Sequence, residues 1–268
     1  MMDCRLEMNK WRCEMSATKL CLLVLPLSIL VLGRATAARA QSAAEILEKA
    51  DKAAFVKTSR ADMIQMVVTP SGDKRTFKMR AYSSNGNEKG MTEYLEPNQV
   101  RGMKILTLND GDDIWTYFPR TNRTRKIASS ARNRKVQGSD FTYDDMATGK
   151  LAQDWKGKVV GSEKIKGKDC FKLQATPTAS GPRSYSKIYL WVDKADYTVP
   201  RIEYFDLDGV KLKVLEITDY RKISGVLFPF RYVMTNLLDG GKTLMKVGKA
   251  EINLHLDPAL FTEAALGK

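Results

Sequence analysis

Short β-strand patterns separated by tight-turn residues fill almost all of the sequence after residue 60. Residues 63–68 and 76–82 read as strands, and the turn sequence Pro70-Ser71-Gly72-Asp73 between them indicates a β-hairpin. The pattern recurs to residue 254, with turns such as Asn109-Asp110-Gly111 and Asp239-Gly240-Gly241. It predicts about eleven strands. Because almost every link is short enough to join antiparallel neighbours, we expect a mainly β protein built on a single antiparallel sheet.

One amphipathic helix is predicted before the strands, from Ser42 to about Lys57. Ser42 can cap its first turn, and Glu45, three residues later, completes a capping box. Apolar side chains follow at helical spacing, at Ile46, Leu47, Ala50, Ala53, Ala54 and Phe55.

The first forty residues have the three parts of a secretory signal peptide. Basic residues up to Lys19 precede an apolar run from Leu20 to Leu32, and the small-residue patterns Ala35-Thr36-Ala37 and Ala38-Arg39-Ala40 follow. An uncleaved N-terminal anchor is the alternative, but the run is shorter than the roughly twenty residues that a spanning helix needs. We therefore expect residues 1–40 to be removed near Ala40, and residues 41–268 to form a single exported domain.

The sequence contains few candidates for catalysis or for metal binding. Three of the four cysteines lie in the predicted leader, which leaves Cys170 alone, and His255 is the only histidine. A Ser-His-Asp triad, a His/Cys metal site and a phosphate-binding glycine loop all lack their parts. Asp112-Asp113 and Asp144-Asp145 are paired acids, but Asp-rich turns are common without an acid–base role. The sequence predicts no enzyme, no metal and no cofactor.

The chain is strongly basic, with 44 Lys and Arg against 31 Asp and Glu and a formal net charge of +13. In an exported protein this charge favours an anionic membrane surface over nucleic acid as a partner. The alternative is a basic surface that only maintains solubility.

The connection from Pro119 to Met146 is much longer than the others. Between Arg120 and Lys135 it carries seven basic residues and no acid. The acidic and aromatic segment Gly138–Met146 follows, and it is typical of a short helix or an ordered turn. Since long loops within a compact domain are usually functional or disordered, the basic part is a candidate for headgroup or partner contact, with a solvated loop as the alternative.

Apolar side chains are more numerous on the predicted strands than one helix can cover. Methionine and aromatic residues recur along them, and a curved antiparallel sheet needs side chains, a covering helix or a ligand to fill its concave face. Methionine-rich walls suit variable apolar ligands. For each residue singly, a place in the core is the simpler interpretation, but their number favours a cavity.

Several spaced motifs resemble the LolA/LolB-like outer-membrane lipoprotein-sorting family, in its larger lipoprotein-sorting-like branch. The resemblance spans residues 43–266, and its blocks occur in the family's order. They are Glu96-Pro97, Gly102–Leu106, Asp113–Pro119, Gly138–Met146, Val199-Pro200, Asp206–Gly209, Gly225–Pro229 and Leu256–Phe261.

The resemblance implies an incomplete, curved barrel whose open side is covered by the N-terminal helix and a short helical insertion. It also implies a periplasmic carrier that shelters the acyl chains of a lipid or lipoprotein on their way to the outer membrane, between an inner-membrane transporter and an outer-membrane acceptor. A lipid-sensing regulatory or accessory subunit of an inner-membrane exporter or signalling complex is the alternative. The basic segment Arg120–Lys135 has no counterpart among the cargo or release elements of the classical carriers.

Two sets of residues are the candidates for ligand contact. Arg120, Arg123 and Arg125 are expected to meet phosphate headgroups or an acidic partner. The expected cavity-facing residues are Met66, Phe77, Met79, Trp115, Tyr117 and Trp191.

Overall fold

The strands form one open antiparallel sheet in a computed structural model that describes residues 41–147 and 150–267. The predicted signal peptide, residues 1–40, lies outside the described residues. In the described part of the chain there are thirteen strands: β1 Thr58–Val68, β2 Lys74–Ser84, β3 Lys89–Glu96, β4 Lys104–Leu108, β5 Asp113–Phe118, β6 Arg123–Lys126, β7 Trp155–Ile165, β8 Lys168–Pro177, β9 Lys187–Asp193, β10 Arg201–Phe205, β11 Lys211–Ile223, β12 Val226–Asn236 and β13 Lys242–Ile252.

Three α-helices accompany the sheet in the same residues: α1 Ala43–Ala54, α2 Tyr143–Met146 and α3 Leu151–Asp154. Five 3₁₀ turns lie at Asn109–Gly111, Ser129–Ala131, Val136–Gly138, Pro258–Phe261 and Glu263–Ala265. The prediction of a mainly β fold built on a single antiparallel sheet is confirmed.

Most neighbouring strands are joined by hairpins, and a single pairing brings the two halves of the sheet together. The order across the sheet is β6-β5-β4-β3-β2-β1-β13-β12-β11-β10-β9-β8-β7, so β1 pairs with the last strand, β13. As a result β6 and β7, which are consecutive in the sequence, lie at opposite edges. The connection 127–154 must therefore cross the sheet from one edge to the other.

The strand β6 is an addition to the sequence-based prediction. It pairs with β5 along the edge of the sheet, and all four of its residues are exposed. Its sequence, Arg-Thr-Arg-Lys, has no apolar residue, so the alternation that marks a half-buried strand is missing.

The helix α1 begins as predicted and ends earlier. Ser42 accepts a hydrogen bond from the Glu45 amide, and the Glu45 carboxylate accepts one from the Ser42 amide, which confirms the capping box. The helix ends at Ala54, three residues before the predicted end, because Phe55 takes an extended backbone and leads into β1. Among the described residues, no helix is long and apolar enough to cross a membrane.

Side chains on the concave face of the sheet form two main cores. One lies under α1 and contains Ile46, Leu47, Leu190, Leu215 and Met234 among others. The other lies against the connection between β6 and β7 and is built around the side chains of Phe77, Met79, Tyr94, Ile105, Ile114 and Val136. The space between these cores holds the candidate site.

Candidate functional site: a cavity on the concave face

A cavity of about 500 Å³ opens on the concave face of the sheet. Its walls are formed by side chains of β1–β4 and β10–β13, and it is closed by α1 on one side and by the segment 136–146 on another. The size falls within the range of small-molecule binding sites, roughly 300–1,000 Å³.

The inward faces of the central strands give the cavity its apolar lining. Met63 on β1 faces Met79 on β2 and Val247 on β13, and all three line the cavity. Met245 on β13 and Met146 in α2 add two more thioethers. Since methionine is unbranched and polarizable, such a wall can adapt to apolar ligands of variable shape.

The helix α1 contributes small side chains to the cavity and is fastened to α3 by one carboxylate. Ala50, Ala53 and Ala54 line the cavity and leave room along this wall. The two carboxylate oxygens of Asp51 accept hydrogen bonds from the amides of Leu151 and Ala152, at 2.8 and 2.9 Å. Burial raises the pKa of Asp51 even though these two amides favour its charged form.

The segment Gly138–Met146 is anchored over the sheet by a buried ion pair. Lys213 on β11 pairs with Asp145 in α2, and both side chains are 2 % exposed. The Lys213 ammonium also donates to the carbonyl oxygen of Asp140 at 3.2 Å and lies 5.2 and 5.4 Å from the ring centres of Tyr185 and Tyr204. Burial, and secondarily the charge of Asp145, raises the pKa of both tyrosines well above 10.0.

Two further aspartates complete the anchor. Asp140 accepts a hydrogen bond from the Thr243 hydroxyl on β13 at 2.9 Å and pairs with Lys135 at 3.0 Å. Asp144 accepts hydrogen bonds from the amide and the hydroxyl of Ser184. The segment Gly138–Met146 is thus a polar plug whose acids are bonded to the half of the sheet that contains β7–β13.

Sequence reasoning expected order in this segment but did not predict the role of its acids. The three aspartates at positions 140, 144 and 145 are visible in the sequence as a cluster of acids. Lys213, which contacts Asp140 and Asp145, lies about seventy residues further along the chain. Nothing in the local pattern of β11 distinguishes Lys213 from the exposed lysines around it.

Of the six predicted cavity residues, Met79 lines the cavity. Phe77 also faces inward but lies in the adjoining core, where its ring packs edge-on against Tyr94 with ring centres 5.7 Å apart. It supports one end of the cavity without belonging to its lining.

The structure places the other four, Met66, Trp115, Tyr117 and Trp191, on the convex face. Met66 alternates with the inward residues Gln65 and Val67, so it points away from the cavity, beside Ile64. Trp191 is 2 % exposed because it donates to Glu163 and lies beneath Lys172 and Arg201.

Trp115 and Tyr117 are covered by the end of the chain. They belong to an outer cluster with Leu256, Leu260 and Phe261. Their inward neighbours on β5 are Ile114 and Thr116, one residue away in each case, and a shift of one residue moves every side chain of a strand to the opposite face.

The basic segment divides into an exposed part and a structural part. Arg120, Arg123 and Arg125 are exposed, and the register of β6 places Arg123 opposite Phe118 and Arg125 opposite the inward-facing Thr116. Three of the other four cations are paired: Lys126 with Asp113 at 2.6 Å, Lys135 with Asp140 and Asp239, and Arg132 with Asp144 at 3.9 Å. Arg134, like the first three arginines, is exposed.

The described residues contain no group of three or more His, Cys, Asp or Glu side chains that could hold a metal ion. Cys170 is buried, and burial raises the pKa of its thiol to about 11.

Known proteins similar to this chain were found among family models and among solved structures. A family model described only as an uncharacterized protein matches residues 86–268, which is more than half of the chain. No curated protein matches the chain significantly.

Similar solved structures cover nearly the whole of the described chain. A domain from Vibrio parahaemolyticus assigned to the outer membrane lipoprotein-sorting proteins has a TM-score of 0.79 at 25 % identity, over 84 % of this chain and 98 % of that chain. A DUF1329 family protein from Desulfovibrio piger has a TM-score of 0.78 at 22 % identity, over 83 % and 97 %. A LolA superfamily protein from Nitrosomonas europaea has a TM-score of 0.71 at 22 % identity, over 84 % and 100 %.

Proposed function

The chain belongs to the LolA/LolB-like outer-membrane lipoprotein-sorting family, and we propose that it is a periplasmic carrier that shelters acyl chains of a lipid or lipoprotein in its concave cavity. The single observation that carries the proposal is the methionine-lined cavity of about 500 Å³ on the concave face. The function is binding and transfer towards the outer membrane, not catalysis.

The energetics of such a carrier require partial shelter of its cargo. Each buried methylene contributes about 0.8 kcal/mol, so a fully enclosed sixteen-carbon chain would be held by roughly 12 kcal/mol. A carrier that binds this tightly would release its cargo too slowly. A cavity that covers part of the chain, with walls that can part at α1 or at the plug, allows both capture and transfer.

The exposed arginines supply a second, weaker contact. Arg123 and Arg125 lie at the edge strand β6, and the register places them on the concave side of the sheet. We propose that Arg120, Arg123 and Arg125 meet anionic headgroups at the membrane surface, so that the cavity opens near the lipid that it receives or delivers.

The two faces of the sheet provide a matched test of the cavity. Met79→Asp places a carboxylate in the wall, and we expect it to weaken the binding of a fluorescent acyl probe at least about tenfold, because a buried unpaired charge is costly. Met66→Asp makes the same chemical change on the convex face and should leave the affinity within about twofold. Equal losses in both variants would contradict the proposed site.

A second variant distinguishes a loss of binding in the cavity from a folding defect caused by Met79→Asp. Ala81 lies on the inward face of β2 and lines the cavity, so Ala81→Trp fills the space without adding charge. Loss of probe binding with an unchanged circular dichroism spectrum is the expected result. Full probe binding in a folded Ala81→Trp protein would exclude the cavity as the binding site.

A further inference from the structure

We propose that Gln65 is a specificity-determining residue of the cavity, and that the bound acyl chain carries a neutral hydrogen-bonding group, a hydroxyl or an amide, which Gln65 recognises. This inference rests on the proposed carrier function and narrows its ligand class. A plain hydrocarbon chain would fill the same space but would leave Gln65 without a partner.

The amide of Gln65 is buried in the cavity wall. The residue is 4 % exposed and lines the cavity on β1. Within the described residues its Oε1 atom is buried and accepts no hydrogen bond. Since a buried polar atom without a partner costs free energy in the folded protein, a ligand that supplies the partner gains affinity.

The neighbours of Gln65 on the same face are apolar. The register places Phe77 beside it on β2 and Met245 beside it on β13, while Met63 and Val67 precede and follow it along β1. None of these side chains can donate a hydrogen bond to the amide oxygen. On this face of the sheet, the amide is therefore a polar group surrounded by methionine and other apolar side chains.

Several other polar groups in the same wall have partners. The hydroxyls of Ser59 and Ser83 bond to each other at 2.8 Å, and the Tyr220 hydroxyl donates to the Val199 carbonyl oxygen at 3.0 Å. Gln65 differs from them because it lines the cavity while its Oε1 atom accepts no hydrogen bond from the described residues.

The charge of the cavity indicates that the recognised group is neutral. Among the described residues that line the cavity, none is lysine or arginine, whereas Asp51 and Asp145 are both present. A carboxylate or phosphate would find no cation there. A hydroxyl both donates and accepts, so it can pair with the glutamine amide in either orientation, and an amide N–H can pair with its oxygen.

The test compares acyl ligands that differ only in this group. We would measure the displacement of a fluorescent acyl probe by hexadecanoate, by a series of hexadecanoates hydroxylated at successive positions, and by hexadecanamide. The wild-type protein should bind one position of the hydroxyl series about tenfold more tightly than plain hexadecanoate, the gain expected of one net hydrogen bond.

Two variants separate the role of Gln65 from a general effect of a buried polar group. Gln65→Leu should abolish the preference while keeping hexadecanoate binding, because the wall becomes fully apolar. Thr116→Val is the matched control: Thr116 Oγ1 is also buried without a partner among the described residues, but it does not line the cavity. This variant should keep the wild-type preference.

The outcomes separate the inference from the function on which it rests. If hexadecanoate and every hydroxylated analogue bind the wild-type protein equally, a water molecule satisfies Gln65 and the inference is overturned. A preference that survives in Gln65→Leu overturns it as well. If no acyl ligand displaces the probe from a folded protein, the carrier function itself fails.

Discussion

At the scale of single residues, the buried pair Lys213–Asp145 has the largest consequences. Both side chains are 2 % exposed, and the pair connects the plug to β11 across the concave face. Buried ion pairs contribute little net stability, but the removal of one partner leaves an uncompensated charge. Their role here is to specify where the plug lies.

Lys213→Met should therefore destabilise the protein by about 3–5 kcal/mol, measured as the free energy of unfolding in urea. The double variant Lys213→Met/Asp145→Asn removes both charges and should recover a large part of this loss. A loss below about 1 kcal/mol in the single variant would contradict the structural role of the pair.

A second prediction at this scale concerns the acid stability of Glu203 on β10. Burial raises its pKa, but hydrogen bonds from Lys211 and Arg201 more than offset that effect and hold the pKa below the ordinary value of 4.5. As the pH falls, the unfolded chain takes up the proton first, so the stabilisation present above the ordinary pKa is lost through the folded pKa.

Urea midpoints of the wild-type protein and Glu203→Gln test this between about pH 6 and pH 3. The wild-type protein should be the more stable at the upper end, and the difference should shrink towards the lower end. A difference that stays constant over this range would show that the ion pairs of Glu203 do not govern its acid sensitivity.

At the scale of elements, the cavity depends on how α1 is held. The helix α1 packs against α3, β7 and β12. The N-cap residue of α3, Lys150, makes no capping hydrogen bond with its side chain, and Asp51 of α1 accepts hydrogen bonds from the first amides of α3 instead. The wall that α1 provides is thus fastened to α3 by the Asp51 carboxylate.

Asp51→Ala should cost about 1 kcal/mol at this junction, the usual loss for a removed cap. Hydrogen exchange of the Leu151 and Ala152 amides should then accelerate by about fivefold. Asp51→Asn keeps an oxygen acceptor and should show a smaller acceleration. Unchanged exchange in Asp51→Ala would mean that α3 is held by other contacts.

The strands were predictable as elements, but the faces of several of them were not. Periodicity located β1 and β5, yet the residue that faces inward depends on pairing with distant strands. Trp115 faces outward because the C-terminal segment with Leu256 and Phe261 covers it, a contact that spans about 140 residues and leaves no local trace. The buried position of Lys213 could not be predicted for the same reason, since its partner Asp145 lies in the plug, 68 residues earlier in the chain.

At the scale of the whole molecule, the sheet order explains why the plug covers the cavity. Because β6 and β7 lie at opposite edges, the chain between them has to cross the concave face, and its acids are anchored to β11 and β13 on the way. The sequence predicted the mainly β sheet, the first helix and the unusual length of this connection. The path of the connection follows from the β1–β13 pairing, which a local pattern cannot specify.

The same sheet order supplies a matched test of the membrane contact. Replacement of Arg120, Arg123 and Arg125 by serine removes three charges near one edge, and should weaken binding to anionic vesicles in low salt by roughly a hundredfold if each contributes about 1 kcal/mol. Replacement of Lys156, Lys158 and Lys164 on β7 by serine removes equal charge at the opposite edge. Equal losses in both triple variants would mean that net charge, not the arginine edge, drives the attraction.

Whether the concave cavity holds acyl chains can be tested by native mass spectrometry of protein released from the periplasm without detergent. We expect a discrete adduct that lipid extraction identifies as acyl-chain lipid or lipopeptide, present in Met66→Asp and lost in Ala81→Trp. A protein that carries no adduct, and that also fails to take up added lipids and lipopeptides, would contradict the proposed carrier function.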